Sequence, residues 1–449
     1  MQSLNQRNLV IDQVDQGIFE VNRDVFRDEE VFSWEMQYIF EGSWIYLAHE
    51  SLLPNPHDFY TTMMGRQPVV LMRDAKGLIH GFLNACPHRG ALITHFEQGN
   101  KKYHRCEYHG WMFDSNGACI SVRDEEKGCY AQPFSEKDHN LVPIAKFGNY
   151  RGFLFGSLNY DVPDFDEWLG DVKVLLDLVV DQGKDGVELL PGAIQYTFDA
   201  NWKLQLENCP DAYHLQGAHP SFMTLVSRRK RQESGYDPKA IDFQQMFAGE
   251  SYTGGSWTFP YGHVLVWAEN PQKSDRPLFA AYDELKKRVG LKKAEWMLHT
   301  RNLTVFPNVQ FAENASLLLR IMRPLAVDKT EMLTFCVAPK NEDPKARTLR
   351  LRQYEDFFNP SGLATPDDTT CYEDCQLGYK AYQVQWQQGY DRGIAALQKE
   401  ADAYAKELSI NPLTAVVGPF AIQDETVFHG GYREWQRLIE KGLAKRKEN

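Results

Sequence analysis

The stretch NACPHRGALITHFEQGNKKYHRCEYHGWMF, residues 84–113, presents the same kinds of side chain twice. In each case a cysteine and a histidine are followed by a glycine: Cys86, His88 and Gly90, then Cys106, His109 and Gly110. Each set lies where a β-rich run meets a glycine, which is typical of a turn. Since thiolates and imidazoles both bind metals, the stretch predicts two loops that each contribute one ligand of each kind.

Three interpretations of these four side chains compete. Unrelated buried cysteines and surface histidines would have no reason to share both their order and the glycine that follows. Structural zinc sites usually pair like ligands, Cys with Cys or His with His, two to four residues apart. A Cys-x-His pair fits that habit poorly. A Rieske [2Fe–2S] centre needs two cysteines on one iron and two histidines on the other, and its neutral imidazoles raise the reduction potential. The pattern favours this third interpretation.

The motifs CPHRG and CEYHGW, with residues 89–105 between their ligand pairs, resemble the Rieske motif. The domain resembles that of the large (α) subunit of the aromatic-ring-hydroxylating oxygenases. This resemblance implies that Cys86 and Cys106 hold one iron and that His88 and His109 hold the other. It also implies that Trp111 shields the cluster from water.

A second segment, NWKLQLENCPDAYHLQGAHPS, carries His214 and His219. Five residues of an ideal helix separate two side chains by about 140°, so a regular helix cannot present both histidines to one metal. Gly217 and Pro220 are typical helix stop signals, so we expect the helix to end between the histidines and His219 to fold back.

Asp211 precedes His214 by three residues, which places both on one face of the expected helix. A carboxylate in that position can accept the ring N–H of a metal-binding histidine and fix its tautomer. Two unrelated histidines near a helix end remain the alternative for this segment taken alone.

Two histidines become an oxygen-activating iron site only with a carboxylate, because non-haem Fe(II) oxygenases use two His and one Asp or Glu. The segment FFNPSGLATPDDTTCYED, residues 357–374, offers Asp367 and Asp368. Either could instead cap the helix that follows. The resemblance implies that Asp368 is the third ligand of a mononuclear Fe²⁺ and that Asp367 is the cap.

The resemblance extends over nearly the whole chain. The segments YIFEGSWIYLAHESLLPNPHDFYTTMMGRQP and RQYEDFFNPSGLATPDD are similar to the branch that acts on benzoate, anthranilate and related aromatic acids. Only Cys209 and Pro210 separate Asn208 from Asp211, whereas the naphthalene-type branch has one residue more. Candidate walls of the substrate pocket are Asn208, Cys209, His263, Phe306 and Asn308.

An aromatic acid needs a cationic partner, and an arginine fork matches a carboxylate best. Arg320 and Arg323 lie in the strand-like run LLLRIMRP. Strand alternation puts them on opposite faces, and either could instead form an ordinary structural ion pair.

The fold that the resemblance implies is α+β. A Rieske all-β domain, residues 41–160, is inserted in a helix-grip-like catalytic domain formed by residues 1–40 and 161–449, with a large antiparallel sheet flanked by helices. Short β-rich runs between residues 41 and 160 agree with this division.

The resemblance also implies an assembly and a reaction. A small β subunit completes an α₃β₃ hexamer, in which Asp211 bridges His109 of one α subunit and His214 of the next. A reductase, with or without a separate ferredoxin, delivers electrons from NADH to the cluster and on to the iron. Both atoms of O₂ are then added to adjacent ring carbons as a cis-diol. The alternatives are monohydroxylation of a salicylate-like acid, and a Rieske electron carrier without oxygenase activity.

Composition restricts the class of protein. The 449 residues include 61 acidic and 49 basic ones, a formal charge of -12, which argues against nucleic-acid binding. The basic run at residues 228–231 is interpreted as a solvated surface stretch. The N-terminal residues lack a secretory signal pattern, and no apolar run reaches the roughly 18 residues of a membrane span. We therefore expect a cytoplasmic protein.

Overall fold

The computed structural model describes residues 8–448 apart from residues 223, 226–227, 229–252, 271, 315 and 419–422. Of the basic run, Arg228 is exposed, and residues 229–231 lie outside the described part of the chain. The chain forms two compact units, one of residues 36–165 and one of residues 1–35 with 166–449. The sequence placed the inserted domain at 41–160.

The smaller unit is built from short antiparallel strands, as the β-rich runs predicted. Its strands are β3 Ile45–His49, β4 Asp58–Met64, β5 Gln67–Arg73, β6 Ile79–Leu83, β7 Gln98–Asn100, β8 Tyr103–Arg105, β9 Met112–Asp114, β10 Cys119–Ser121, β11 Lys146–Tyr150 and β12 Phe153–Ser157. They form sheets in the orders β6-β5-β4-β7, β8-β9-β10 and β11-β12-β3, and one short helix, α3, spans Gln132–Ser135. The core between the sheets contains Phe59, Val70, Phe82 and Trp111.

The larger unit begins with a hairpin and a helical segment. The hairpin strands are β1 Val10–Gln13 and β2 Ile18–Asn22, and β21 Trp386–Gln387 pairs with β2. Helices α1 Asp24–Arg27 and α2 Glu29–Trp34 follow, and a π-helical turn, Glu35–Phe40, begins at the last residue of this segment of the larger unit. Asp28 caps α2 by accepting hydrogen bonds from the amides of Glu30 and Val31.

A large antiparallel sheet dominates the larger unit. Its strands in the described residues are β13 Val187–Leu189, β14 Ile194–Phe198, β15 Gly254–Thr258, β16 Val264–Ala268, β17 Thr300–Val305, β18 Val309–Glu313, β19 Leu317–Ala326, β20 Lys329–Pro339 and β22 Thr414–Val417. Their order is β13-β20-β19-β18-β17-β16-β15-β22, and β14 also pairs with β20. Strands β15, β16 and β18 are buried along their full length and β20 along most of it, because the runs contain few charged side chains.

Helices alternate with the strands of this sheet along the sequence. Those in the described residues are α4 Phe165–Leu169, α5 Val172–Val180, α6 Trp202–Asn208, α7 Leu215–Ala218, α8 Tyr282–Val289, α9 Leu291–Leu298, α10 Pro344–Phe357, α11 Thr365–Gly378, α12 Ala403–Glu407 and α13 Phe428–Glu448. The run DFDEWLGDVKVLLDLVV forms two helices, α4 and α5, divided at Gly170, whose φ of 45° lies outside the helical region. None of the helices in the described part of the chain combines the length and apolar character that crossing a membrane requires.

One face of the sheet supports the helix that leads to the predicted iron ligands. Gln310, Arg320 and Thr334 lie side by side on β18, β19 and β20 and therefore share a face. The side-chain amide Nε2 of Gln310 donates to the backbone carbonyls of Gln205 and Leu206, 3.1 Å away in both cases. These bonds fix α6 on the face that carries Arg320.

Candidate active site

The repeated sequence pattern forms two loops with the same backbone hydrogen bonds. In each loop the cysteine amide donates to the carbonyl five residues later, at 2.8 Å for both Cys86 and Cys106. The amides of Gly90 and Gly110 donate back to the cysteine carbonyls at 2.8 and 2.9 Å. Both glycines have positive φ, 77° and 80°, a conformation that a residue with a Cβ rarely adopts. The pattern in the sequence is therefore a repeat in the structure.

The side chains of these loops converge in a way that suits a two-iron cluster. Cys86 and Cys106 are buried and interact with each other, whereas the rings of His88 and His109 are half-buried, with centroids 4.3 Å apart. The buried Nδ1 of His88 has no hydrogen-bond partner among the described residues. Trp111 stacks on His88 at 5.0 Å and is itself buried.

Burial raises the pKa of the Cys86 thiol to about 11, so without a metal this cysteine is protonated at neutral pH. Metal binding would displace that proton, as it does when thiolates become ligands. The buried cysteines and the unpartnered imidazole nitrogen thus fit the group that the sequence predicts.

The spacing of these ligand atoms argues against a single zinc ion. Within the described residues, the one group of three or more possible ligands with all ligand atoms inside 4.8 Å is His214, His219 and Asp368. A tetrahedral zinc ion would draw all four of its ligand atoms into such a group. A cluster with one iron for the cysteines and another for the histidines does not.

The histidine segment folds more irregularly than expected. Helix α6 ends at Asn208, and the chain re-enters a helix only for the four residues Leu215–Ala218. His214 lies directly before this turn and His219 directly after it. The expected fold-back of His219 is confirmed, but the expected helix up to His214 is wrong, because the helix ends before Pro210.

The fold-back brings three ligand atoms together. His214 Nε2 and His219 Nε2 are 3.2 Å apart, and Asp368 Oδ1 lies 3.4 and 3.1 Å from them. Asp368 is in the first turn of α11, so this group joins two segments that are distant in the sequence. Two imidazoles and one carboxylate at these distances match the ligand set of a mononuclear non-haem iron.

Each histidine has a second carboxylate on its far nitrogen. Asp211 Oδ2 lies 3.1 Å from His214 Nδ1, and Asp367 Oδ2 lies 3.3 Å from His219 Nδ1. The expectation that Asp367 caps α11 is wrong. The cap position is Ala364, and it makes no side-chain capping bond, so Asp367 is inside the helix and its side chain is free to reach His219.

The histidines and carboxylates of this group stabilise one another's charged forms. Burial by itself would lower the pKa of His214, but the carboxylates of Asp211 and Asp368 raise it to about 10. Burial likewise opposes ionisation of Asp368, but hydrogen bonds from His214 and His219 hold its pKa well below the ordinary value. Asp368 is therefore ionised at every physiological pH, as a metal ligand must be.

The structure places the predicted pocket residues in two groups. Asn208 is beside the ligand atoms, with Nδ2 3.3 Å from His214 Nε2 and 3.1 Å from Asp368 Oδ1. Cys209 follows it and is buried. His263 and Phe306 contact each other, since the Phe306 amide donates to His263 Nδ1 at 3.1 Å.

Both ring nitrogens of His263 are bonded to backbone, because Nε2 lies 3.0 Å from the carbonyl oxygen of Trp168. Burial lowers the pKa of this histidine to about 4, so it is neutral. Asn308 is buried and lies directly before β18. A pocket role for His263, Phe306 and Asn308 stays a prediction.

Sequence reasoning missed two tyrosines near the ligand group. Burial raises the pKa of Tyr196 to about 12, and the charges of Arg320 and Asp368 both act on it. Burial and Asp368 raise the pKa of Tyr372, which Arg320 lowers. Tyr196 is on β14 and Tyr372 on α11, and no motif links them to the histidines.

Comparison with known proteins identifies the family. Residues 188–441 match the family model for the ring hydroxylating alpha subunit (catalytic domain), and residues 43–144 match the Rieske [2Fe-2S] domain. The chain belongs to the ring-hydroxylating oxygenase α subunits. It is a Rieske non-haem iron dioxygenase subunit, and the predicted branch and α+β fold class are confirmed.

The alignments with known relatives extend over almost the whole of this α subunit. It is 40% identical to the toluate 1,2-dioxygenase subunit alpha of Pseudomonas putida over 98% of this chain and 95% of that one. It is 38% identical to the 2-halobenzoate 1,2-dioxygenase large subunit of Burkholderia cepacia, over 95% and 90%. Among solved structures, a naphthalene 1,2-dioxygenase mutant bound to phenanthrene superimposes with a TM-score of 0.81 at 27% identity, covering 98% of this chain and 95% of that one.

Proposed function

We propose that this α subunit cis-dihydroxylates an aromatic carboxylic acid of the benzoate, anthranilate or ortho-halobenzoate type. The observation that carries the proposal is the gathering of two imidazoles and one carboxylate within 4.8 Å in a chain that also has a Rieske domain. The names of the toluate and 2-halobenzoate relatives support the substrate class.

In this proposal Cys86, Cys106, His88 and His109 hold the [2Fe–2S] cluster, and His214, His219 and Asp368 hold Fe²⁺. When bound, the cluster would supply single electrons and the iron would activate O₂. Asp367 is hydrogen-bonded to His219 Nδ1 and holds that imidazole in one tautomer, and Asp211 lies 3.1 Å from His214 Nδ1. Asp211 and Asp367 lie on the Nδ1 atoms of their histidines, so both Nε2 atoms remain for the metal.

Asp211 has a second role in the proposal. Its side chain is 19% exposed, and it keeps one oxygen near the ring of His214 while the other accepts backbone amides. A carboxylate that is only partly buried can also accept a hydrogen bond from His109 of a neighbouring α subunit. Asp211 would then join the two metal centres across subunits.

The proposed partners follow from the chemistry. A reductase, with or without a separate ferredoxin, takes electrons from NADH and passes them to this chain, so this chain does not itself bind NADH. The match to an α subunit implies a partner β subunit. We propose an α₃β₃ hexamer in the cytoplasm, where NADH is available and where the eight cysteines, none of them in a disulfide, would not be oxidised to disulfides.

Monohydroxylation of a salicylate-like acid is the second candidate reaction, since it uses the same ligands. An electron carrier without oxygenase activity is disfavoured by the histidine–aspartate group, which would have no role in it. Product analysis separates these possibilities. The α and β subunits with reductase, NADH and O₂ are given benzoate, 2-chlorobenzoate, anthranilate and salicylate, and the products are identified by mass. A cis-diol acid from benzoate, or catechol from 2-chlorobenzoate or anthranilate, supports dioxygenation. Catechol from salicylate needs only one new oxygen atom and does not, and a singly hydroxylated acid from every substrate would contradict dioxygenation.

A further inference from the structure

Arg320 is a buried arginine that forms no direct ion pair with a described residue of this α subunit. It lies in the middle of β19, on the sheet face to which α6 is bonded, and it is only 6% exposed. Its Nε is buried and has no hydrogen-bond partner among the described residues, and no carboxylate there forms an ion pair with it. The guanidinium is always charged, and although the charge of Asp368 acts on it, it has no direct ion pair in the described protein.

Other buried arginines in the larger unit are paired. Arg276 and Arg301 both contact the carboxylate of Glu313, the first at 3.1 Å, and Arg350 contacts Glu342 at 2.7 Å. A buried charge is costly unless it is paired and hydrogen-bonded. Arg320 is therefore an exception, because no carboxylate of the described residues pairs with it directly.

The surroundings of Arg320 point to the active site. Its Cζ lies 5.9 Å from the ring centre of Phe358. Burial raises the pKa of the neighbouring Cys209 thiol to about 11, and the charges of both Arg320 and Asp368 act on that thiol. Tyr372 also interacts with both charges, and its buried hydroxyl has no partner in the described structure. Arg320 and the iron ligand Asp368 thus share their neighbours.

We propose that Arg320 binds the carboxylate of the substrate and selects aromatic acids over neutral aromatic compounds. The planar guanidinium offers parallel N–H donors that match the two oxygens of a carboxylate. An acid held in this way has its ring among the side chains that adjoin Asp368. This inference rests on the proposed function, because it requires that the substrate is an acid.

Arg323 provides a matched control on the same strand. It lies on the opposite face of β19, where its Nη1 is 3.3 Å from Glu331 Oε2, so it is an ordinary structural ion pair. We would compare the wild type with Arg320→Met, Arg320→Lys and Arg323→Met, each as the complete enzyme with its β subunit. Equilibrium dialysis measures the binding of benzoate, 2-chlorobenzoate and the neutral isostere benzamide, and steady-state assays give kcat/KM for the acids.

Replacing one partner of a buried charged pair typically weakens binding by roughly 30-fold or more, so Arg320→Met should lose at least this factor in Kd for the acids. Its affinity for benzamide should be unchanged or higher. Arg320→Lys keeps the charge but loses the fork, so the acids should bind with intermediate affinity. Arg323→Met should bind both classes of compound like the wild type.

Folding of the Met variant is expected, since Arg320 leaves no orphaned carboxylate behind when it is removed. If that variant nevertheless fails to fold, the Lys variant and the preference of the wild type for benzoate over benzamide still test the proposal. Acid binding that is equally strong in wild type, Arg320→Met and Arg320→Lys would overturn it. So would a wild type that binds benzamide as tightly as benzoate. A wild type that oxidises only neutral aromatic compounds would instead refute the proposed function.

Discussion

Asp211 is connected to His214 through both of its carboxylate oxygens. Oδ1 accepts the backbone amide of His214 at 3.3 Å, and Oδ2 lies 3.1 Å from the ring nitrogen Nδ1. The turn that begins after Pro210 makes this double contact possible, because it directs both residues to the same point without a regular helix. The position of the imidazole is therefore coupled to one carboxylate that is still partly exposed.

Replacing Asp211 with Asn should separate electron transfer from iron binding. Asn is nearly isosteric and keeps one acceptor oxygen, so both metal centres should remain largely occupied. The charge is lost, and we expect cluster oxidation to slow by about 10–100-fold or more, the range seen for lost carboxylate partners of metal-bound histidines. The measurement follows cluster absorbance in a single turnover after the reduced enzyme receives substrate and O₂. Wild-type rates in an iron-loaded Asp211→Asn enzyme would mean that the carboxylate only orients His214.

The neighbouring acids Asp367 and Asp368 should behave differently when each is changed to Ala. Asp368→Ala removes one of three ligand atoms, so we expect loss of the mononuclear iron and of all turnover while the Rieske absorbance remains. Asp367→Ala removes only the partner of His219 Nδ1, so iron affinity or activity should fall by about 10–100-fold. Iron analysis and turnover assays distinguish the two variants. Full activity of Asp368→Ala with an inactive Asp367→Ala would reverse the assignment.

Changing His109 to Cys tests the Rieske centre. A charged thiolate would replace a neutral imidazole, so we expect a [2Fe–2S] cluster with a lower midpoint potential. Redox titration monitored by visible absorbance provides the value. The Cys106 side chain is buried and should be unaffected, so an unchanged midpoint potential would exclude His109 as a ligand.

The half-buried carboxylate of Glu207, at the end of α6, predicts a dependence of stability on pH. Burial raises the pKa of Glu207 from 4.5 to about 7, although Tyr390 and Tyr432 donate hydrogen bonds to it. The folded state therefore binds this proton more tightly than the unfolded state does. The resulting stability is complete below pH 4.5 and is lost as the pH rises through about 7.

Glu207→Gln resembles the protonated side chain and should remove this contribution to the pH dependence. Relative to the wild type, the variant should gain roughly 1–3 kcal/mol as the pH rises from 4.5 to 8. Thermal unfolding of both proteins across that range is the test. Parallel curves for wild type and variant would show that Glu207 does not titrate in this range.

The sequence predicts all four Rieske ligands because they lie within one short repeated motif and need no long-range contact. It also predicted that Arg320 and Arg323 lie on opposite faces of β19, because side chains alternate between the two faces of a strand and these residues are three positions apart. Choosing Asp368 over Asp367 needed the family resemblance, because either aspartate could have capped the helix. Their actual roles depend on where α11 begins, and helix ends are difficult to place from sequence.

Other features of the site arise from packing between distant segments. Tyr196 on β14 and Tyr372 on α11 both act on the charge of Arg320 on β19, and no local pattern links three residues so far apart in the sequence. The contact of Asp211 with His214 was predicted for a helix but is made by a turn after Pro210. The right pair was found because a separation of three residues permits contact in either geometry.

Isotope labelling tests the central claim most directly. The wild-type α subunit with its β subunit, reductase and NADH is given benzoate under ¹⁸O₂, and the product is examined by mass spectrometry. We predict a cis-diol acid in which both new oxygen atoms are ¹⁸O, and no such product from Asp368→Ala. A product with one ¹⁸O would make the enzyme a monooxygenase, and NADH-dependent cluster turnover without any oxygenated product would contradict the account as a whole.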